Sequence, residues 1–347
     1  MSRVYLDWNA TTPLRPEARA AMIEAMDVIG NPSSVHAEGR AAKMLMERSR
    51  ERIAASLGAE GADVVFTSGT TEAAAMMLAG QGLQCAPVEH EAVKEWCDPS
   101  LPVDSGGIIS VPDPARAAVQ LANSETGVIQ TLPEGLAVSD LTQAFGKIPF
   151  SFNWLGAISG LISAHKLGGP KGIGALILKK GTDIEARLRG GGQEQGRRAG
   201  TENLIGIAGF AAAAEAAQRD LEAGLWDDVA DRRDRLEARL TGVATDAIIV
   251  GKDSKRLPNT TCLLTSGWKG ETQVMQMDLA GFAVSAGSAC SSGKIRASGT
   301  LQAMGFDDAQ AQAAIRISIS PDLDDDQMNR FADAWESAYS RWRERNG

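Results

Sequence analysis

Residues Asp63-Val64-Val65-Phe66-Thr67 form a short β-rich run that breaks at Ser68-Gly69-Thr70-Thr71-Glu72 and passes directly into the apolar stretch Ala73 to Leu78. Strand, tight turn and helix in that order are the unit of a parallel α/β sheet. The turn leaves the first N–H groups of a helix without partners, with hydroxyls beside them, so it is a ready anion site. An ordinary Ser/Thr helix cap accounts for the same residues and is the better explanation of this turn taken alone.

Similar texture surrounds it. Glu17 to Met26 and Ala41 to Leu57 carry apolar positions at helical spacing, the second run stopping at Gly58. Ile173 to Leu178 reads as a buried strand after a Gly-rich turn. Ala208 to Leu240 reads as one or two long helices. Short strands at Ala247 to Val250, Thr261 to Thr265 and Ile315 to Ile319 then alternate with helices. At about 150 residues per domain, 347 residues suit two domains. The change of texture puts a smaller α+β domain after about residue 225.

Composition excludes several classes. Hydrophobic residues make up 44% and charged residues 23%, as in ordinary globular chains. No apolar run approaches the ~18 residues of a membrane helix. The segment Met1-Ser2-Arg3-Val4-Tyr5-Leu6-Asp7 has no apolar core of the signal-peptide kind, so a cytoplasmic protein is expected. Lys+Arg 35 against Asp+Glu 44 gives a net charge of -9, which argues against nucleic acid or anionic lipid as partner. Cys85, Cys97, Cys262 and Cys290 show no metal-ligand spacing, and reduced thiols are expected.

Four stretches carry candidate chemistry. In Ser163-Ala164-His165-Lys166-Leu167-Gly168-Gly169-Pro170-Lys171, a His-Lys pair precedes a Gly-Pro turn and a buried strand. A desolvated lysine there would be a nucleophilic amine, and the bland alternative is a surface lysine. Gly190-Gly191-Gly192, followed by Arg197, Arg198 and Thr201, allows close backbone approach to a ligand or another subunit, or is a flexible loop. Ser285-Ala286-Gly287-Ser288-Ala289-Cys290 sets one cysteine among small residues, which suits an exposed nucleophilic sulfur better than a structural one. Arg316 sits in the alternating run Ala314 to Ser318, where it either meets an anion or faces water from an edge strand.

Together with Tyr5-Leu6-Asp7-Trp8-Asn9-Ala10-Thr11-Thr12-Pro13, Gly30-Asn31-Pro32-Ser33-Ser34, Glu89-His90 and Asn123-Ser124-Glu125-Thr126-Gly127, these segments stand in one order along nearly the whole chain. In that order they resemble the cysteine desulfurases, pyridoxal-phosphate enzymes of the class V aminotransferase group, and within them the branch with a long cysteine loop. The resemblance implies an α/β fold of the pyridoxal-phosphate-dependent transferase type, similar to aspartate aminotransferase. It implies a large domain over 13–224, with a mainly parallel sheet sandwiched by helices. Residues 1–12 and 225–347 would form the smaller α+β domain carrying the Cys290 loop and Arg316. The cofactor implied is pyridoxal 5'-phosphate. Lys166 would bind it as an aldimine and move the substrate proton. Asp140 would hold the pyridine nitrogen protonated, Gln143 and Ser124 would flank the phenolic oxygen, and His90 would stack on the ring and assist proton transfer. Thr70, Thr71, Ser163 and His165 would hold the phosphate, with Thr201 contributed to a partner subunit in a homodimer. Arg316 and Asn31 would bind L-cysteine, and Cys290 would take its sulfur as a persulfide for a scaffold or acceptor protein in iron–sulfur cluster or other thio-cofactor synthesis.

The chain departs from that pattern in places. Ser124 replaces the usual asparagine, which shifts the burden at the phenolic oxygen to Gln143. The stretches from Cys97 to Asn123 and from Gln130 to Asp140 are short, and Val138-Ser139-Asp140 lacks the family's usual strand sequence, so Asp140 is expected to reach the ring by a nonstandard path. The competing readings are a selenocysteine lyase or aminotransferase of the same group, or a low-activity paralogue.

Overall fold

A computed structural model describes residues 3–287 and 297–346. The chain begins with strand β1 (Val4–Tyr5), helices α1 (Pro16–Met26) and α2 (Ala37–Ser56), strand β2 (Asp63–Thr67) and helix α3 (Thr70–Leu78). Strand β3 (Gln84–Cys85) and the one-turn helix α4 (Glu91–Lys94) lead to β4 (Ala117–Gln120), β5 (Leu136–Asp140), β6 (Ala157–Ser163) and β7 (Gly174–Leu178). Two long helices follow, α5 (Leu204–Glu222) and α6 (Leu225–Val243). The remainder is β8 (Ile248–Ile249), β9 (Thr260–Leu264), α7 (Gly270–Leu279), β10 (Phe282–Ala283), β11 (Ser285–Ala286), α8 (Gly299–Ala303), α9 (Asp308–Gln312), β12 (Ala314–Ser318) and α10 (Asp325–Asn346). Pro16 starts α1 with its φ already set, and the His36 side chain caps α2 by accepting from the Gly39 N–H.

The large sheet has the order β2-β7-β6-β5-β4-β3. Strands β3 to β6 run parallel, whereas β7 is antiparallel to both β6 and β2. This corrects one expectation: β2 is an edge strand with an antiparallel neighbour, not part of a parallel pair. Two reversals restore its direction, however, so Thr67 ends level with Gly174 and Ser163. Gln120, Asp140 and Leu161 form the adjoining row. The carboxyl ends of β2, β4, β5 and β6 therefore share one rim, the place where open α/β sheets bind ligands.

Strand residues alternate between two cores, as a period of two requires. Val64, Phe66, Val119, Ile162 and Ile177 pack with Ile53 of α2 and Phe210 of α5. Val65, Ala118, Val138, Leu161 and Leu176 pack with Ala73 and Met76 of α3 on the opposite face. Helices thus cover both faces, as the buried strands demand. A separate core joins Val4 and Leu6 to Trp226 and Leu236 of α6, Leu263, Ile315 and Ile317 of the sheet β11-β12-β9-β8, and Phe331 and Trp335 of α10.

Residues 121–135 connect β4 to the adjacent parallel β5 without a helix. Ala122 bridges Ile129 in a tight return, the Ile129 N–H donates to the Lys255 carbonyl and the Leu257 N–H to the Gly127 carbonyl. Backbone groups that a crossover helix would satisfy internally are satisfied by residues 255–257 instead. The path is nonstandard, as expected, but Val138-Ser139-Asp140 is a regular, fully covered strand: Leu136 and Val138 are buried and parallel neighbours flank both sides.

Candidate active site

A cavity of about 620 Å³ opens at that rim. Its walls come from the turn Ser68 to Thr71, from His90, Gln120 and Ser124, from Asp140, Thr142 and Gln143 after β5, and from Ser163, His165, Lys166 and Lys171 around the lysine loop. Of the residues singled out in the sequence, Lys166, His90, Asp140, Gln143, Ser124, Thr70, Thr71, Ser163 and His165 all line it.

The turn after β2 carries no side-chain cap at Gly69, the residue that opens α3. This decides against the ordinary cap: the helix end keeps its free N–H groups at the cavity wall. Thr70 Oγ1 lies 2.8 Å from Thr142 Oγ1. Packing here is close, because a Cβ on Gly174 would come within 2.5 Å of the Ile162 carbonyl oxygen and 2.7 Å of Gly69 Cα. Only a glycine on β7 lets the turn sit against the sheet.

Lys166 Nζ donates to the main-chain carbonyls of Asn9, at 2.6 Å, and Ala10, at 2.9 Å. The segment after β1 thereby holds the amine at the cavity wall. Asp140 Oδ1 accepts from the Thr142 N–H at 2.9 Å, which fixes the carboxylate at the strand end. His90 caps α4, its Nδ1 accepting from the Ala92 N–H at 3.1 Å. Its proton therefore resides on Nε2. Burial keeps His90 below the usual imidazole pKa, against the opposing pull of Asp140. His165 is pushed down to about 4, by burial first and then by Lys166 and Lys171, and its Nδ1 lies 3.1 Å from Thr11 Oγ1. Both rings are neutral at pH 7. Behind His90, burial raises the Glu89 carboxyl well above its ordinary range, and Asp140 adds to the effect.

Arg316 is no edge residue. Its strand β12 lies between β11 and β9, and the side chain is 6% exposed. Nη2 donates to Asp7 Oδ1 at 2.7 Å and Nη1 to the Ser124 carbonyl at 3.2 Å. Nε is buried with no partner among the described residues. The Ser124 main chain thus joins the guanidinium to the cavity wall.

Three residues fall elsewhere. Asn31 is exposed, its side-chain oxygen accepting from the Ser33 N–H, and it does not line the cavity of its own chain. Thr201 lines a smaller neighbouring recess with Ser68, Arg198 and Gly200. Cys290 lies outside the described residues. Flanking its loop, Ser298 Oγ donates to Glu125 at 2.6 Å and Thr300 Oγ1 at 3.2 Å, and Gly287 also sits against that carboxylate.

The sequence reading missed Lys147 and the role of Asn9. Lys147 is 1% exposed and donates to Asn9 Oδ1 at 2.9 Å and Gln143 Oε1 at 2.7 Å. Asn9 is wholly buried, and besides these contacts it reaches Thr260 and the Ser124 carbonyl. The Asn9 motif had been noted, but a lysine between Gly146 and Ile148 reads as a surface residue, and no local signal marks its burial.

The donor set fits pyridoxal phosphate. An amine, a carboxylate on a strand end, a neutral imidazole, and a cluster of hydroxyls and free helix N–H groups converge on a cavity of suitable size.

Comparison with known proteins gives the family. The sequence profile described as aminotransferase class-V matches residues 4–93 and 108–331. A cysteine desulfurase of Cereibacter sphaeroides is 37% identical, covering 92% of this chain and 91% of its own length. The cysteine desulfurase IscS of Dictyoglomus turgidum is 36% identical, covering 82% and 81%. The NifS-like protein of Rickettsia africae superposes with a TM-score of 0.87 at 29% identity, over 97% of this chain and 99% of that one. The chain belongs to the class-V aminotransferase family, in the group its cysteine desulfurase relatives form.

Proposed function

We propose that this protein is a pyridoxal-phosphate-dependent cysteine desulfurase that converts L-cysteine to L-alanine and receives the sulfur on Cys290. The observation that carries the proposal is the convergence of Lys166, Asp140 and the uncapped turn 68–71 on one cavity, in a chain 36–37% identical to cysteine desulfurases.

Bound pyridoxal phosphate supplies an electron sink for negative charge at the substrate α-carbon. The chain's own residues do the rest. Thr70, Thr71, Ser163, His165 and the first N–H groups of α3 hold the phosphate. Asp140 keeps a proton on the ring nitrogen, and Gln143 donates to the phenolic oxygen. His90 packs on the ring with its Nε2–H as a proton source. Lys166 holds the cofactor, then takes the α-proton of the substrate and returns it. Arg316 binds the substrate carboxylate. The Cys290 thiolate attacks the substrate sulfur: an S–S bond forms and the substrate Cβ–S bond breaks. The released electron pair, with a proton, becomes the new C–H bond of alanine. Cysteine and a thiol yield alanine and a persulfide, with no external oxidant. A downstream thiol or scaffold protein then takes the sulfur for cluster or thio-cofactor synthesis. The assembly is a homodimer in which Thr201 reaches the partner's phosphate, and its place is the cytoplasm. Among the described residues no helix is long and apolar enough to cross a membrane.

The test is incubation of cofactor-loaded protein with L-cysteine, quantifying alanine and protein-bound persulfide, with Cys290→Ala alongside. Alanine and persulfide from the wild type, both lost in the variant, are expected. Full turnover of cysteine by Cys290→Ala would point instead to a lyase or aminotransferase. No alanine from the loaded wild type would sink the desulfurase reading.

A further inference from the structure

Lys147 is a second lysine at the site, fully covered, and the mechanism above leaves it unused. Its Nζ has two hydrogen-bond acceptors, Gln143 Oε1 at 2.7 Å and Asn9 Oδ1 at 2.9 Å, and no carboxylate among them. Among the described residues the charged groups that act on it are positive, Lys166 and Arg316. A covered amine kept among like charges is costly, so the contacts it makes are the place to look for its use.

The contact with Gln143 is informative because it is one-way. Because Gln143 Nε2 is turned to a carbonyl, the atom of Gln143 that faces the lysine is Oε1, and it accepts from Nζ. On the other side, Gln143 Nε2 donates to the Asn9 main-chain carbonyl at 3.0 Å, and a carbonyl only accepts. These two partners permit one orientation of the carboxamide. Gln143 lines the cavity, and its Nε2 keeps a second N–H beyond the one given to Asn9. Remove Lys147, and the buried Oε1 loses its donor. Turning the amide would set Oε1 against the Asn9 carbonyl, so the carboxamide stays tethered through Nε2 alone, and its second N–H is no longer held firmly in place at the cavity. The shorter Ser124 nearby makes this chain depend more heavily on Gln143.

We infer that Lys147 is a positioning residue: it anchors the Gln143 carboxamide from the Oε1 side, as Asn9 does from the Nε2 side, so that the second Nε2–H is held on the phenolic oxygen of the cofactor ring. The inference rests on the cofactor reading above and extends it to a residue that touches neither cofactor nor substrate. Lys147 and Lys166 also hold the same residue, Asn9, one by its side-chain oxygen and the other by its main-chain oxygen. The two lysines are thus set in one frame.

The readout is the pH titration of the visible band of the cofactor-loaded protein, without substrate. A donor at the phenolic oxygen draws electron density from the ring and lowers the proton affinity that this band reports. Lys147→Met should therefore move the midpoint upward by about one unit, a tenfold change in proton affinity. In a Gln143→Leu background, which shifts the midpoint by itself, Lys147→Met should add nothing further. Lys147→Gln, which keeps a shorter donor, should shift the midpoint less than Lys147→Met, and it replaces that variant in the cycle if the latter does not fold. An unmoved midpoint overturns the inference. An equal shift in both backgrounds also overturns it, because Lys147 would then act through its charge. A wild-type protein that binds pyridoxal phosphate without any visible band overturns the cofactor reading itself, and this inference with it.

Discussion

Arg316 and Asp7, 309 residues apart in sequence, form a buried ion pair with Nη2 2.7 Å from Oδ1. The pair ties β12 to the segment just after β1, and the Ser124 carbonyl takes another guanidinium N–H. Asp7 fixes the plane of the guanidinium, and Nε, buried with no partner among the described residues, is left as a donor. Lysine keeps the charge but loses the fork. Arg316→Lys should raise KM for L-cysteine about tenfold or more, roughly 1.4 kcal/mol in binding, with a smaller effect on kcat. Steady-state kinetics check this; an unchanged KM would remove Arg316 from substrate binding.

Lys166 should be the site of covalent attachment. Borohydride reduction of the loaded wild type should add the cofactor mass to the peptide containing Lys166, and Lys166→Ala should show neither adduct nor alanine formation. Labelling of Lys147 or Lys171 instead would refute the assignment. The protein should still fold, because the Ala10 carbonyl lies at the cavity wall and the buried Asn9 carbonyl keeps the Gln143 Nε2–H as a donor.

The stability of the cofactor-free protein should depend on pH through His165. Its pKa falls from 6.5 to about 4 on folding, chiefly through burial. Between those values the unfolded chain binds a proton that the native state does not, so stability rises with pH across the window. Stability is therefore lost as the pH falls from 6.5 towards 4 and levels off below. His90, also depressed by burial, acts in the same direction. Urea midpoints measured across the window should show this slope, and His165→Asn should flatten it. An identical slope in the variant would assign the effect to other groups.

Gly174→Ala tests the close approach of β7 to the turn after β2. The added Cβ would stand 2.5 Å from the Ile162 carbonyl oxygen. Overpacking of this kind costs about 1–3 kcal/mol. The melting temperature should fall, and affinity for pyridoxal phosphate should fall with it, because the displaced turn carries Thr70 and Thr71. A variant that is less stable yet binds the cofactor normally would show that the turn does not hold the phosphate.

Much of this was legible in the chain itself, because the relevant physics is local. The run Asp63 to Thr67 and the helix after it follow from β-branched residues, a glycine turn and alanines at helical spacing. The helices α1, α2, α5 and α6 follow from apolar periodicity. His165, Lys166 and the Gly-Pro turn announced themselves through residue types that ordinary loops do not combine, whereas His90 came only from the family resemblance.

Other features depend on partners distant in sequence. The short segment before Asp140 suggested an awkward path, but β5 is regular, because its neighbours on both sides and residues 255–257 supply what a crossover helix would have supplied. Two reversals of direction, through β6, β7 and β2, return the turn after Thr67 to the same rim as Asp140 and Ser163. No local pattern encodes that relation.

Sequence by itself determined the long helices, several strands and the family resemblance, because these rest on side-chain type, short spacing and the order of motifs; the resemblance in turn supplied the residues expected at the cavity. Tertiary structure decided the rest. It turned Arg316 from a strand residue of unknown facing into a buried cation paired with Asp7. It made Lys147, which no local signal marks, the buried partner of Gln143 and Asn9. Burial and electrostatic environment are properties of the assembled fold, set in part by groups as distant in sequence as Asn9 is from Lys147 and Asp7 from Arg316, and a lysine carries no sign of them in its own neighbourhood.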